Sequence, residues 1–133
     1  MSRITQHDPF GELLGYSVNP GAGPGGSPTG TVTIDSRHLS PAGVAHGGTV
    51  FSLLDFIMGG HVVESLEDGE MTSTVGLRVE FFRPVRKGAV LTATSAFEHR
   101  GRTLVRTRGE VHDQDGKRVA CAYGTYNIYP RRG

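Results

Sequence analysis

His46-Gly47-Gly48-Thr49-Val50-Phe51-Ser52-Leu53-Leu54-Asp55-Phe56-Ile57-Met58-Gly59-Gly60-His61-Val62 decides how the rest of the chain must be arranged. From Gly47 to about Leu66, Val50, Leu53, Leu54, Ile57, Met58, His61 and Val62 recur at three- and four-residue steps, the spacing of a helix with one buried stripe. No other segment predicts a long helix. Glycines at a helix start leave backbone N–H groups open to a ligand oxygen, with the positive end of the helix dipole behind them. That is half of an oxyanion site. Asp55, alone inside the same helix, is a carboxylate that can serve as base or nucleophile.

Everything after the helix alternates with period two. Val75, Leu77, Val79 and Phe81 are expected to point one way, and Thr74, Gly76, Arg78 and Glu80 the other. Pro84 to Gly88 ends that strand. Further strands are expected at Val90 to Phe97, Leu104 to Val111 and Val119 to Ile128, separated by the turn-forming His99-Arg100-Gly101-Arg102 and Asp113-Gln114-Asp115-Gly116. Ahead of the helix, Asp8-Pro9 can cap and open a short helix through Leu14. The Gly- and Pro-rich stretch 19–30 reads as a mobile loop leading into a strand at Thr31 to Ile34. One long helix against five or six antiparallel strands predicts an α+β domain in which the sheet curls around the helix, its one available cover.

Composition narrows the function. A chain of 133 residues is expected to form a single domain (1–133), with 129–133 as a tail. Its net charge of +1 points to neither a nucleic-acid partner nor a membrane surface, and no apolar run approaches the length of a membrane span. The single Cys121 excludes an intrachain disulfide, and Met1 to Tyr16 lacks the apolar stretch of a signal peptide, so the expected location is the cytoplasm. His7, His38, His46, His61, His99 and His112 include no pair with metal-ligand spacing, so no metal site is expected. Ser52 lies in no nucleophile elbow, and Cys121 in a strand reads as a small core residue.

The string His38-Leu39-Ser40-Pro41-Ala42-Gly43-Val44-Ala45-His46-Gly47-Gly48, the helical Leu54-Asp55, Thr74 to Pro84, Gly88, Gly101-Arg102 and Gly116 to Ala120 resemble the hotdog-fold acyl-CoA thioesterases of the phenylacetate-pathway (PaaI) type. The resemblance covers nearly the whole chain. It implies a hotdog fold, with a central helix wrapped by an antiparallel sheet, forming homodimers commonly paired into homotetramers. It also implies hydrolysis of an aryl- or fatty acyl-CoA thioester with no cofactor, coenzyme A being part of the substrate. Carried over residue by residue, Gly47 N–H becomes the donor to the thioester carbonyl, Asp55 the base or nucleophile, and Thr74 the hydroxyl that positions its water. Ser40 stands where the family usually has an asparagine that contributes an amide near the substrate carbonyl; a serine hydroxyl is shorter and donates once. His46 and Gly48 flank Gly47 as substrate-binding candidates, His46 also holding the loop at the helix start.

Each role competes with a plainer one. At 100° per residue Asp55 lies about 120° from the centre of the apolar stripe, so periodicity alone makes it a solvated helix residue. Its coupling to His46-Gly47-Gly48 and to the strand pattern gives it a function. The plainer reading of Gly47 and Gly48 is a tight loop-to-helix join, and that of Ser40-Pro41 the start of a turn. Arg83, Arg86, Lys87, Arg100 and Arg102 flank two hairpin ends, where they are candidates to grip CoA phosphates, although isolated surface bases are common. Helix geometry adds a constraint. Gly47 and Asp55 stand about 12 Å apart along one axis and cannot both touch one thioester. If both act, the site joins Gly47 of one subunit to Asp55 of another. Two alternatives stay open: a non-catalytic acyl-CoA or lipid-binding hotdog module, motivated by Ser40, and a dehydratase using Asp35 and His38.

Overall fold

The computed structural model describes residues 8–132. His7 and the outer ends of the expected 1–133 domain lie outside the described residues. A short helix α1 (Pro9–Leu14) opens the described chain as expected: the Asp8 carboxylate accepts from the Gly11 N–H at 3.1 Å, and Gly15 closes the helix at φ 75°. Strands β1 (Ser17–Asn19) and β2 (Thr29–Thr33) follow, then helix α2 (Gly47–Glu64). Strands β3 (Glu70–Phe81), β4 (Val90–Arg100), β5 (Leu104–His112) and β6 (Arg118–Pro130) complete the chain. The six strands form one antiparallel sheet in the order β1-β2-β4-β5-β6-β3. Helix α2 carries the chain across one face of that sheet, from β2 near one edge to β3 at the other. This is the hotdog arrangement.

Core packing follows from the helix stripe. Leu53, Leu54, Ile57, Met58 and Val62 are fully buried against Val32, Leu91, Ala93, Val105, Val111 and Ala122 of the sheet. The close approach depends on glycines in the strands. A Cβ at Gly109 would stand 2.6 Å from Met58 Sδ and 2.9 Å from Leu54 Cδ2, and one at Gly30 would run into Ile57 Cγ1 and Cδ1. A Cβ at Gly124 would stand 3.1 Å from Met58 Cε of the helix and 2.9 Å from Thr107 and Tyr126 of the sheet. These three positions are where the sheet curls onto the helix.

Several expected boundaries shift. Loop 19–30 is shorter than its composition implied: Pro24–Gly26 form a 3-10 turn, Ser27 Oγ–H donates to Pro24 C=O at 2.9 Å, and Thr29 and Gly30 already belong to β2. His99 and Arg100, expected in a turn, continue β4 past an irregularity between Phe97 and His99, so the turn is tighter. The expected tail begins inside β6, which runs to Pro130, and the Arg131 N–H donates to Gly69 C=O at 2.7 Å. The alternation of β3 also breaks. Thr74 pairs with Tyr126 but Gly76 with Thr125, leaving Val75 as an extra, 62% exposed residue. Phe81, expected inward, is 51% exposed at the strand end.

Candidate active site

The loop before α2 is held by His38, which is 1% exposed. Its Nδ1 accepts from the Asp35 N–H at 2.9 Å, which leaves Nε2 to donate to Leu14 C=O at 2.7 Å and sets the neutral tautomer. The His38 carbonyl then accepts from the His46 N–H at 2.8 Å, fixing where the helix begins. The His46 side chain was expected to hold this loop; it caps nothing and is exposed. Buried His38 does that work because an inward ring can satisfy both nitrogens on backbone groups. Ser40 turns the loop: its Oγ accepts from the Ala42 N–H at 3.2 Å.

Helix α2 therefore starts with no side chain over its N-terminus, and Gly47 and Gly48 lie exposed. Gly47 lines a cavity of about 400 Å³ together with Val50, Phe81, Arg83, Val85 and Val119. A helix N-terminus without a side-chain cap and Arg83 thus border the same cavity, a pairing suited to an anionic or oxyanionic ligand.

Two turns further along, Asp55 is half-buried rather than solvated. Thr74 Oγ1 donates to its Oδ1 at 3.4 Å. The bulge at Val75 makes this contact possible. Strict alternation assigns Thr74 to the face away from Leu77, but the extra residue resets the parity, so that Thr74 pairs with inward-facing Tyr126 and meets the helix. Burial pushes the Asp55 carboxyl above its ordinary pKa, and the Thr74 hydrogen bond offsets part of that rise. The phenol of Tyr126 is raised as well, by burial and then by the charge of Asp55. A carboxylate kept basic, with a hydroxyl beside it, has the character of a general base or nucleophile.

The basic residues do not form one cluster. Arg83, Arg86 and Lys87 lie at the N-terminal end of α2, where Val44 bridges Arg86 and the Ala45 N–H donates to Val85 C=O. Arg100 is at the other end, donating from Nε to Ser65 Oγ at 3.0 Å and from Nη2 to Ser65 C=O at 3.1 Å, with Arg102 in the adjoining turn. The 18-residue helix between them spans about 27 Å. Lys87 Nζ is engaged by Ser36 Oγ at 2.9 Å. His61, as expected of a core-type histidine, hydrogen-bonds through Nδ1 with Ser95 Oγ at 2.9 Å and stacks on Phe97 at 3.9 Å. Burial holds its pKa below the ordinary value. Sequence reasoning passed over the inward phenol of Tyr126, for which the period-two pattern Ala122, Gly124, Tyr126, Ile128 was the available signal. It also missed that His38 ends the segment Asp35-Ser36-Arg37-His38, where the two outer side chains cap each other's backbone.

The geometry has counterparts in known proteins. The medium/long-chain acyl-CoA thioesterase YigI of Salmonella typhimurium is 32% identical over 98 residues, covering 64% of this chain and 63% of that protein. The chain spans between 57% and 70% of the length of the first curated relatives it matches. Among solved structures, a mutant of the phenylacetic acid degradation protein PaaI from Thermus thermophilus superposes with a TM-score of 0.79 at 28% identity, covering 90% of this chain and 98% of that one. The BH2602 protein of Bacillus halodurans, solved with CoA, superposes with a TM-score of 0.72 at 27% identity, covering 76% and 66%. Residues 42–120, more than half the chain and the whole of α2 through β5, match the family model of the thioesterase superfamily. A hotdog fold, a helix opened by glycines and a supported helical aspartate agree with that match: the chain belongs to the thioesterase superfamily, a family of thioester-hydrolysing enzymes.

Proposed function

We propose that this protein hydrolyses acyl-CoA thioesters at a site that joins Gly47 of one subunit to Asp55 and Thr74 of its partner. The observation that carries this reading is the half-buried Asp55 carboxylate, held by Thr74 and made more basic by burial, on the helix whose uncapped N-terminus opens onto the Arg83 cavity. Asp55 takes a proton from water as the new C–O bond forms, or attacks the carbonyl itself. The Gly47 N–H stabilises the oxyanion of the tetrahedral intermediate, which collapses by breaking the C–S bond and releasing the CoA thiol, the thiolate taking the proton from Asp55 in the first route or from water in the second, where water then hydrolyses the acyl–Asp55 anhydride. Arg83, with Arg86 nearby, is the place for CoA phosphates; Arg100 is committed to Ser65. The reaction needs no added metal. Support comes from relatives named as acyl-CoA thioesterases and a structural neighbour solved with CoA.

Eight residues of one helix separate Gly47 from Asp55, about 12 Å of rise, so a shared site requires a second subunit. Edge strand β3, with exposed Val75 and Phe81, and the 39% exposed Phe51 on α2 offer apolar surface for it. Ser40 favours a second reading, a module that binds acyl-CoA without turning it over, because its Oγ is held in the turn by the Ala42 N–H and offers one short donor in place of the family's amide. A hydrolysis screen over aryl-, short-chain and long-chain acyl-CoAs, read by thiol release with a chelator present, separates the two. Turnover is expected with at least one class. Binding without thiol release from any would establish the module instead.

A further inference from the structure

Among the described residues, Tyr126 Oη is the one buried side-chain polar atom without a hydrogen-bond partner. Tyr126 is 1% exposed. A buried phenol with nothing to bind costs stability relative to phenylalanine, so its presence calls for an explanation. Its position supplies one. Tyr126 pairs across the sheet with Thr74, on the face turned to the helix. Its ring runs beneath Gly59, where a Cβ would stand 3.6 Å from Cε2 and 4.0 Å from the hydroxyl. Gly59 is one turn beyond Asp55 on the same helix face, so the hydroxyl lies under the turn that carries the carboxylate.

The surroundings leave that hydroxyl one charged acceptor to serve. Burial and the Thr74 hydroxyl from β3 are what move the Asp55 carboxyl, and Asp55 is the only charge that moves Tyr126. The phenol therefore stays protonated and is a permanent donor across the working pH range.

We propose that Tyr126 is a positioning residue for Asp55: its protonated hydroxyl, buried beneath the helix turn that carries the carboxylate, favours the ionised carboxylate and helps hold it where Thr74 orients it. Tyr126 keeps its proton throughout and touches no substrate. The assignment rests on Asp55 being the base or nucleophile.

The test compares the wild-type chain with Tyr126→Phe and Asp55→Asn. Acyl-CoA turnover is followed against pH, the Asp55 carboxyl is titrated by NMR in aspartate-labelled protein, and Tm is measured for each. In Tyr126→Phe, kcat should fall about tenfold with KM within about twofold, the effect of losing one neutral donor group close to the ionised carboxylate. The acidic limb of kcat/KM and the Asp55 titration should both move to higher pH, because a donor favouring the ionised carboxylate is gone. Relative to wild type, Tm should be lower at neutral pH than at acid pH, because the further-raised Asp55 pKa costs stability only once the carboxyl ionises. A Tyr126→Phe protein with wild-type kcat, acidic limb and Asp55 titration overturns the proposal and leaves the hydroxyl a tolerated orphan. If that result accompanies an inactive Asp55→Asn, the reading of Asp55 survives. Wild-type turnover by Asp55→Asn overturns both. Should no acyl-CoA be turned over by the wild type, the titration decides, and an unmoved Asp55 overturns the proposal.

Discussion

At Asp55, the burial that makes the carboxylate more basic also costs stability. Its pKa is raised in the folded state, so ionising it disfavours folding. Below the ordinary carboxylate value of 3.8 both states are protonated and the cost is absent; it grows as pH rises through the folded-state pKa and is complete above it. Asp55→Asn should therefore melt higher than wild type at neutral pH, a difference that closes as the melts are repeated toward acid. The same variant should lose about 10²–10⁴-fold in turnover, the range for a general base. Undiminished hydrolysis would remove Asp55 from the mechanism. His38 lies at the opposite extreme, structural throughout. Truncating it to Ala deletes a fully buried ring and strands the Asp35 N–H and Leu14 C=O. Chemical denaturation should show a loss of about 2–4 kcal/mol, and a near-neutral result would mean that the loop before α2 is held by other contacts.

Between α2 and the sheet, glycine has two different meanings, and substitution separates them. At Gly109 a methyl group has no room against Met58 and Leu54, so Gly109→Ala should destabilise by about 1–3 kcal/mol through overpacking. At Gly59 the same methyl meets Tyr126 at 3.6 Å, an ordinary contact, and the helix gains propensity. Gly59→Ala should stabilise by up to about 1 kcal/mol. Denaturant midpoints for the pair check both signs, and equal destabilisation would mean that α2 packs differently from the arrangement described. The β3 bulge belongs to this scale as well. One extra residue, Val75, reverses the side-chain parity, so that a threonine read as outward faces the catalytic candidate.

For the molecule as a whole the question is whether Gly47 of one subunit and Asp55 of another serve one substrate. Gly47→Pro removes the N–H donor while proline remains acceptable at the first helical position. Its ring must displace the Phe81 side chain, 3.3 Å from a Cβ at that position. Asp55→Ala removes the carboxylate. Each variant alone should be nearly inactive. In a mixed dimer one site carries both lesions and the other neither, so random assortment of equal amounts should recover about a quarter of wild-type activity. The measurement uses co-refolded chains verified as mixed dimers by mass, set against mixtures that do not exchange. Folded mixed dimers without recovery would reject a site shared in this way.

The fold was legible along the chain because its signals are local and periodic. The 3.6-residue stripe from Val50 to Val62 and the alternating strands each arise from the geometry of a single element, and one long apolar helix leaves an antiparallel sheet few ways to cover it. The bare helix start at Gly47 was legible for the same reason. Four other features needed the tertiary structure. Parity along β3 depends on a bulge defined by its partner β6. Half-burial of Asp55 depends on β3 reaching around a helix face that periodicity assigns to solvent. The basic residues separate into two groups because the hairpins that carry them lie at opposite ends of α2. Tyr126 gains its place beneath Gly59 from its pairing with Thr74, 52 residues earlier in the sequence (126 − 74). Sequence determines what each element is. Which side chains meet across elements is decided by register, and register exists only once the strands have paired.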